Sequence, residues 1–161
     1  MRVVDVMTGT PYFCAPEANL GIATELMWTG NCGFLPVVES AGKVVGVVTD
    51  RDICIALGTR GQPAGDVPVG EVMTQKVYFC SPADDIHAAL NTMSERRVRR
   101  LPVLAKDGIL VGVVSMDDVI LHAELGILGK TPDLSLQEVL KTLQAINVRE
   151  LPEIIAKEAA A

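Results

Sequence analysis

Residues 4–8 read Val-Asp-Val-Met-Thr, and residues 70–74 read Gly-Glu-Val-Met-Thr. The offset of 66 positions between them also carries Tyr12-Phe13-Cys14 onto Tyr78-Phe79-Cys80, Pro16 onto Pro82, and Ala23 and Met27 onto Ala89 and Met93. It carries Leu35-Pro36-Val37 onto Leu101-Pro102-Val103, Val45-Gly46-Val47-Val48 onto Val111-Gly112-Val113-Val114, and Asp52 onto Asp118. Residues 3–54 align on 69–120 without a gap. An offset held over that length marks a tandem duplication.

Each copy spells the same order of elements. After the Val-Met-Thr turn comes an expected short strand, Pro11 to Ala15 and Lys76 to Ser81. A helix over 17–29 and 83–95 follows, with Leu20, Ala23 and Met27, or Ile86, Ala89, Leu90 and Met93, at helical spacing. Two β-rich runs come next, Phe34 to Val38 with Val44 to Thr49, and Arg100 to Leu104 with Ile109 to Ser115. Glycine stands in both connecting turns, at Gly42 and Gly108. A second helix is expected to begin near Asp50 and near Met116. The Gly- and Pro-rich stretch around residues 59–68 joins the copies. A β-α-β-β-α unit of about 55 residues is too small to hold a core alone. The expected fold is therefore α/β (α+β), two such repeats (1–58 and 69–122) packed with pseudo-twofold symmetry, and a C-terminal helical extension over 123–161.

Composition narrows the function classes. Of 161 residues, 49% are hydrophobic, which separates the chain from disordered sequences. Lys+Arg number 14 against Asp+Glu 20, a net charge of −6 that disfavours duplex nucleic acid and anionic lipid. Six aromatics leave few platforms for stacking single strands. There is no spanning apolar run and no signal-peptide pattern, so a cytoplasmic, soluble protein is expected. Cys14, Cys32, Cys54 and Cys80 form no C-x-x-C, and the two histidines, His87 and His122, stand apart, so free thiols are expected rather than a metal site. Packing is the expected role of the Tyr-Phe-Cys segments. The alternatives are a cleft wall or an oxidised Cys14–Cys80 pair. No catalytic motif is present. Gly126 to Thr131 ends like a phosphate-binding loop but lacks its first glycine, since Glu124 stands there, and is expected to be a helix end and loop.

Two constellations carry chemistry. Gly46-Val47-Val48-Thr49-Asp50-Arg51-Asp52 and Gly112-Val113-Val114-Ser115-Met116-Asp117-Asp118 each end a strand in a hydroxyl at a helix start, with a carboxylate one turn on. Free N–H groups there would bind an anion, and the carboxylate would accept from ribose hydroxyls. The competing reading is an ordinary helix cap with an acidic first turn. Arg96-Arg97-Val98-Arg99-Arg100 is the main concentration of positive charge. Arg96 and Arg97 suit the end of the preceding helix, and the arginine fork in general suits bidentate recognition of phosphate. Gly33 and Phe34 replace Arg99 and Arg100 in the first copy, so two equivalent phosphate sites are not expected.

The doubled spacing Val-Met-Thr, Leu-Pro-Val and G-V-V-[ST]-x-x-D resembles the CBS domain, named for cystathionine β-synthase, over residues 1 to about 122. The resemblance implies a pair that binds AMP, ADP, ATP or S-adenosylmethionine between its copies, with no cofactor required and a regulatory rather than catalytic role. It implies contact by Thr49, Asp52, Ser115, Asp118, Arg99 and Arg100, and by Leu35, Pro36, Leu101 and Pro102. It also implies a homodimer through the helices of the repeats and an unknown client protein. The alternative is an interaction scaffold with empty or purely structural clefts. In the tail, Ser135-Leu136-Gln137-Glu138 is a capping box that opens a helix to about Ile146, and Glu153 to Ala161 is expected to form a short one.

Overall fold

The computed structural model describes residues 1–125 and 132–148. The phosphate-loop look-alike at Gly126 to Thr131 and the expected helix after Glu153 lie outside these residues. The first copy contains α1 (Leu20–Thr29), β1 (Phe34–Val38), β2 (Val44–Thr49) and α2 (Asp50–Arg60). The second contains α3 (Ile86–Arg96), β3 (Arg100–Leu104), β4 (Leu110–Ser115) and α4 (Met116–His122), and α5 (Leu136–Asn147) follows. The β1/β2 and β3/β4 hairpins have the same antiparallel register, Leu35 opposite Val48 and Leu101 opposite Val114. Gly42 and Gly108 take φ of 80° and 79° in the turns, where a side chain would be strained.

The first helix of each copy starts three residues later than the periodicity predicts. Asn19 and Asp85 stay extended, and their side chains accept from the N–H groups of Ile22 and His87. The expected strands at 11–15 and 76–81 shrink to single parallel bridges, Cys14 with Val37 and Cys80 with Val103. The cause is proline. Cys14 N–H donates to the Pro36 carbonyl and Val38 N–H donates to the Cys14 carbonyl. The next bond of a parallel ladder would need an N–H from residue 36, which proline lacks. Pro102 stops the other ladder at the same register.

The two copies exchange their leading segments. Thr8 pairs with Val113 of the second copy, and Thr74 pairs with Val47 of the first. Val3 and Val6 are buried with Ile86, Met93, Leu101 and Val119, while Val67 and Val69 are buried with Leu20, Leu35, Val48 and Ile53. Each core is thus completed by residues from the other repeat's stretch of sequence. The other bridges within the repeats come in offset-related pairs, and the Lys43–Ile109 bridge joins two residues that are each other's equivalents. Such a self-paired contact lies on the pseudo-twofold axis. The motif glycines make the exchange possible: a Cβ on Gly46 would stand 2.6 Å from Met73 Sδ and 3.2 Å from the Thr74 carbonyl oxygen. On Gly112 it would stand 2.6 Å from Met7 Sδ and 3.0 Å from the Thr8 carbonyl oxygen.

The tail breaks the symmetry. α5 begins at the expected Ser135–Glu138 capping box and lies on α3 and α4, adding Leu134, Val139 and Ile146 to the second core. His87 Nε2 approaches Glu138 Oε1 at 3.3 Å. The hydrogen bonds from Ser135 hold the Glu138 carboxyl below its ordinary range. The corresponding face of α1 and α2 has no such cover among the described residues. Trp28 is 87% exposed there, beside a groove of about 530 Å³ lined by Met27, Cys54 and Leu57.

Gly112→Ala is expected to destabilise the chain by about 1–3 kcal/mol, because backbone as well as Met7 must move. Gly58→Ala, in α2 with open space around it, is expected to be neutral or to stabilise by up to about 1 kcal/mol. Urea denaturation midpoints check both, and an unchanged midpoint for Gly112→Ala would contradict the packing described.

Candidate functional site

Two clefts lie where the copies meet, and the same offset relates their linings. The first, of about 670 Å³, is lined by Thr49, Arg51 and Asp52 at the β2–α2 junction, by Thr74, Lys76 and Tyr78, and by Arg97, Arg99 and Arg100 from the second copy. The second, of about 280 Å³, is lined by Ser115, Asp117 and Asp118 at the β4–α4 junction, by Thr8, Thr10 and Tyr12, and by Asn31 and Cys32 from the first copy. Phe34 and Arg100, the first residues of β1 and β3 and each other's equivalents, line both clefts. Each cleft therefore draws on both copies, and the arginines of the second copy face Thr49 and Asp52 of the first.

Both helix junctions form complete capping boxes. Asp52 Oδ2 accepts from the Thr49 N–H at 2.9 Å and from its hydroxyl at 2.7 Å, and Thr49 Oγ1 accepts from the Asp52 N–H at 3.2 Å. Ser115 and Asp118 repeat this at 2.8, 2.6 and 3.2 Å. The expected anion site on free N–H groups is not what the first junction offers. Asp50 N–H donates to the Gly33 carbonyl at 3.4 Å, and Arg51 N–H donates to Asp50 Oδ1 at 2.7 Å. With the Asp52 N–H held by Thr49, the first turn of α2 satisfies its own donors. Positive charge for an anion must come from side chains instead.

The carboxylates differ in what they leave open. Asp118 Oδ1 accepts from the Thr8 hydroxyl at 3.3 Å, so both its oxygens have partners. Asp52 Oδ1 has no protein hydrogen bond among the described residues, and Thr74, the counterpart of Thr8, makes no bond to it. An open carboxylate oxygen at a cleft wall accepts hydroxyl donors.

Charge differs more sharply. Lys76, Arg51, Arg97, Arg99 and Arg100 line the first cleft against Asp50 and Asp52; Arg100 alone opposes Asp117 and Asp118 in the second. At several pairs of equivalent positions the copies diverge in charge, among them Lys76 with Thr10, Arg97 with Asn31, Arg99 with Gly33, Arg100 with Phe34, and Arg51 with Asp117. Gly33 has its own reason, since Asp50 Oδ2 would be 2.5 Å from a Cβ there.

The remaining expected site residues divide. Pro102 lines the first cleft. Leu35 and Leu101 are wholly buried in the two cores, and Pro36 is buried in β1; none of the three lines either cleft. The apolar spacing that marks Leu-Pro-Val is the spacing of a core strand. Lys76, Arg51 and Phe34 were not singled out by motif, although setting the copies against each other position by position exposes the first two. Arg97 ends α3 as its C-cap, in the left-handed conformation at φ 53°, and it also lines the first cleft. Arg96 lies over the Tyr78 ring, 5.2 Å from its centroid. Tyr12 and Tyr78 line the clefts, whereas Phe13 and Phe79 are exposed, so packing accounts for the cysteines but not for the phenylalanines. Cys14 and Cys80 sit in separate cores, where burial pushes their thiols up to about 11 and about 12. Burial of this kind makes them unreactive and removes the basis for an oxidised pair. No helix among the described residues is long and apolar enough to cross a membrane.

Known proteins share this fold. The CBS domain model matches residues 3–59 and 69–124. The CBS domain-containing protein YhcV of Bacillus subtilis is 34% identical over 117 residues, 73% of this chain and 81% of its own. The crystal structure of CBSX2 in complex with AMP is 26% identical, with a TM-score of 0.65, over 74% of this chain and 93% of that one. The CBS domain pair of MJ0100, solved with 5′-methylthioadenosine and S-adenosyl-L-methionine, shares the fold at 24% identity and a TM-score of 0.68, over 74% of this chain and 93% of that one. With two matched repeats that exchange their leading segments around shared clefts, the chain belongs to the CBS domain family.

Proposed function

We propose that the chain is a regulatory module whose first cleft binds an adenosine nucleotide through its phosphates. The observation that carries this reading is the gathering of Lys76, Arg51, Arg97, Arg99 and Arg100 around one cleft in a chain whose net charge is −6. Asp52 Oδ1 is the acceptor for a ribose hydroxyl, and Phe34, Tyr78 and Pro102 supply apolar surface for the base. The AMP bound by CBSX2 supports this ligand class. AMP, ADP and ATP fit the charge of the first cleft better than S-adenosylmethionine, whose sulfonium would meet like charge there.

The cleft is built from both copies, so a ligand that bridges Asp52 and Arg99 favours one relative arrangement of the two. A signal follows only if that arrangement is bound more tightly than another. Arginine–phosphate bonds contribute about 1.5–3 kcal/mol each. Arg99→Ala is therefore expected to weaken AMP binding by about 10–100-fold and adenosine binding by far less, as read by isothermal titration calorimetry. Equal affinity of the wild-type chain for AMP and adenosine, or indifference to Arg99→Ala, would overturn the phosphate reading.

The homodimer implied by the family resemblance belongs, on this reading, to α1 and α2. α5 covers the equivalent helices of the second copy, whereas Trp28 and the groove beside it stand open. A client that reads the nucleotide-bound arrangement would compete for the same face. Trp28→Ala is expected to shift sedimentation toward monomer; a wild-type chain that sediments as a monomer at all concentrations would remove the dimer.

A further inference from the structure

Among the described residues Arg100 is the only cation lining the second cleft, and it lines the first as well. Its Nη2 stands 3.9 Å from Asp117 Oδ2, at the outer limit of an ion pair, and the two side chains are 31% and 70% exposed. A pair that long and that wet is weak and readily exchanged. The position follows from the topology. Arg100 opens β3 beside the pseudo-twofold axis, where its equivalent, Phe34, has no charge to share. One guanidinium thus serves two sites that would otherwise be independent.

We infer that Arg100 couples the two clefts, so that phosphate bound in the first draws it away from Asp117 and changes what the second accepts. This rests on the phosphate reading of the first cleft. A phosphate dianion in the first cleft is a stronger partner for this guanidinium than Asp117, because it carries more charge and can be met bidentately, whereas the Asp117 contact is a single one at 3.9 Å. Once Arg100 turns to it, the second cleft is left with Asp117 and Asp118 and no lining cation. A second phosphorylated ligand is then disfavoured there, and an uncharged or cationic nucleoside is favoured. Linkage makes the effect reciprocal: whatever strengthens the Arg100–Asp117 pair weakens phosphate binding in the first cleft. The two clefts accordingly differ in ligand class by charge, and occupancy of one sets the selectivity of the other.

A mutant cycle on AMP affinity, measured by calorimetry on the full chain at low ionic strength, tests this. Asp117 is exposed in the first turn of α4, and Asp117→Asn removes its charge with little change of shape. In the wild-type background, Asp117→Asn is expected to tighten the first AMP site about two- to fivefold, the range of an exposed pair released. In the Arg100→Gln background, which keeps much of the side-chain stem, the same change is expected to do nothing. Raising the salt to about 1 M should abolish the difference. Equal tightening in both backgrounds would mean that Asp117 acts through space alone, and no tightening in either would mean that the pair is not broken; each overturns the coupling while leaving the phosphate reading intact. Two equivalent AMP molecules per wild-type chain would overturn it too. Absence of AMP binding to the wild-type chain would instead overturn the phosphate reading, and the coupling with it.

Discussion

The structure depends on the crossing of each Val-Met-Thr segment over a glycine of the other copy. Met7 lies over Gly112 and Met73 over Gly46, and the backbone of Thr8 and Thr74 pairs with the strand beyond. No side chain larger than hydrogen fits at either glycine without movement. The crossing carries Val3 and Val6 into one core and Val67 and Val69 into the other, and each such side chain contributes about 1.5–3 kcal/mol when fully buried. Two motifs distant in sequence, Val-Met-Thr and Gly-Val-Val, are thus one contact. That contact also brings Thr8, Thr74 and Lys76 to the clefts, so stability and site geometry share a cause.

Duplication supplies two frames, and divergence then separates their uses. Both helix junctions keep their capping boxes, which hold β2 to α2 and β4 to α4 regardless of any ligand. Beyond the caps, the first cleft has gained cations and an open carboxylate oxygen, while the second has closed Asp118 Oδ1 onto Thr8 and kept a single, shared arginine. The tail divides the outer faces in the same way, covering α3 and α4 and leaving α1 and α2 bare among the described residues. One chain therefore presents one strongly basic cleft and one open helix pair.

Much of this was legible in the sequence because the repeat supplies its own control. An offset without gaps marks the hairpins and the turns at Gly42 and Gly108, and the Ser-x-x-Glu spacing marks the Ser135 capping box in the tail; all are set by local chemistry. The apolar pattern at 11–15 and 76–81 is that of a strand, while the limit on pairing lies in Pro36 and Pro102 of a different segment. Leu35 and Leu101 join the expected site only through the family resemblance, and their side chains are wholly buried in the two cores. The crossing of the arginines to Asp52 and the sharing of Arg100 are tertiary facts with no periodic signature. The contrast in charge between equivalent positions was present throughout, and comparison of the two copies is the means to read it.

The position of a bound phosphate distinguishes the two clefts. A crystal structure of the full chain with AMP tests that position most directly. The nucleotide is expected in the first cleft, its ribose on Asp52 and its phosphate among Lys76, Arg99 and Arg100. AMP bound only beside Ser115 and Asp118, or bound in the first cleft with its phosphate turned away from the arginines, would contradict that placement.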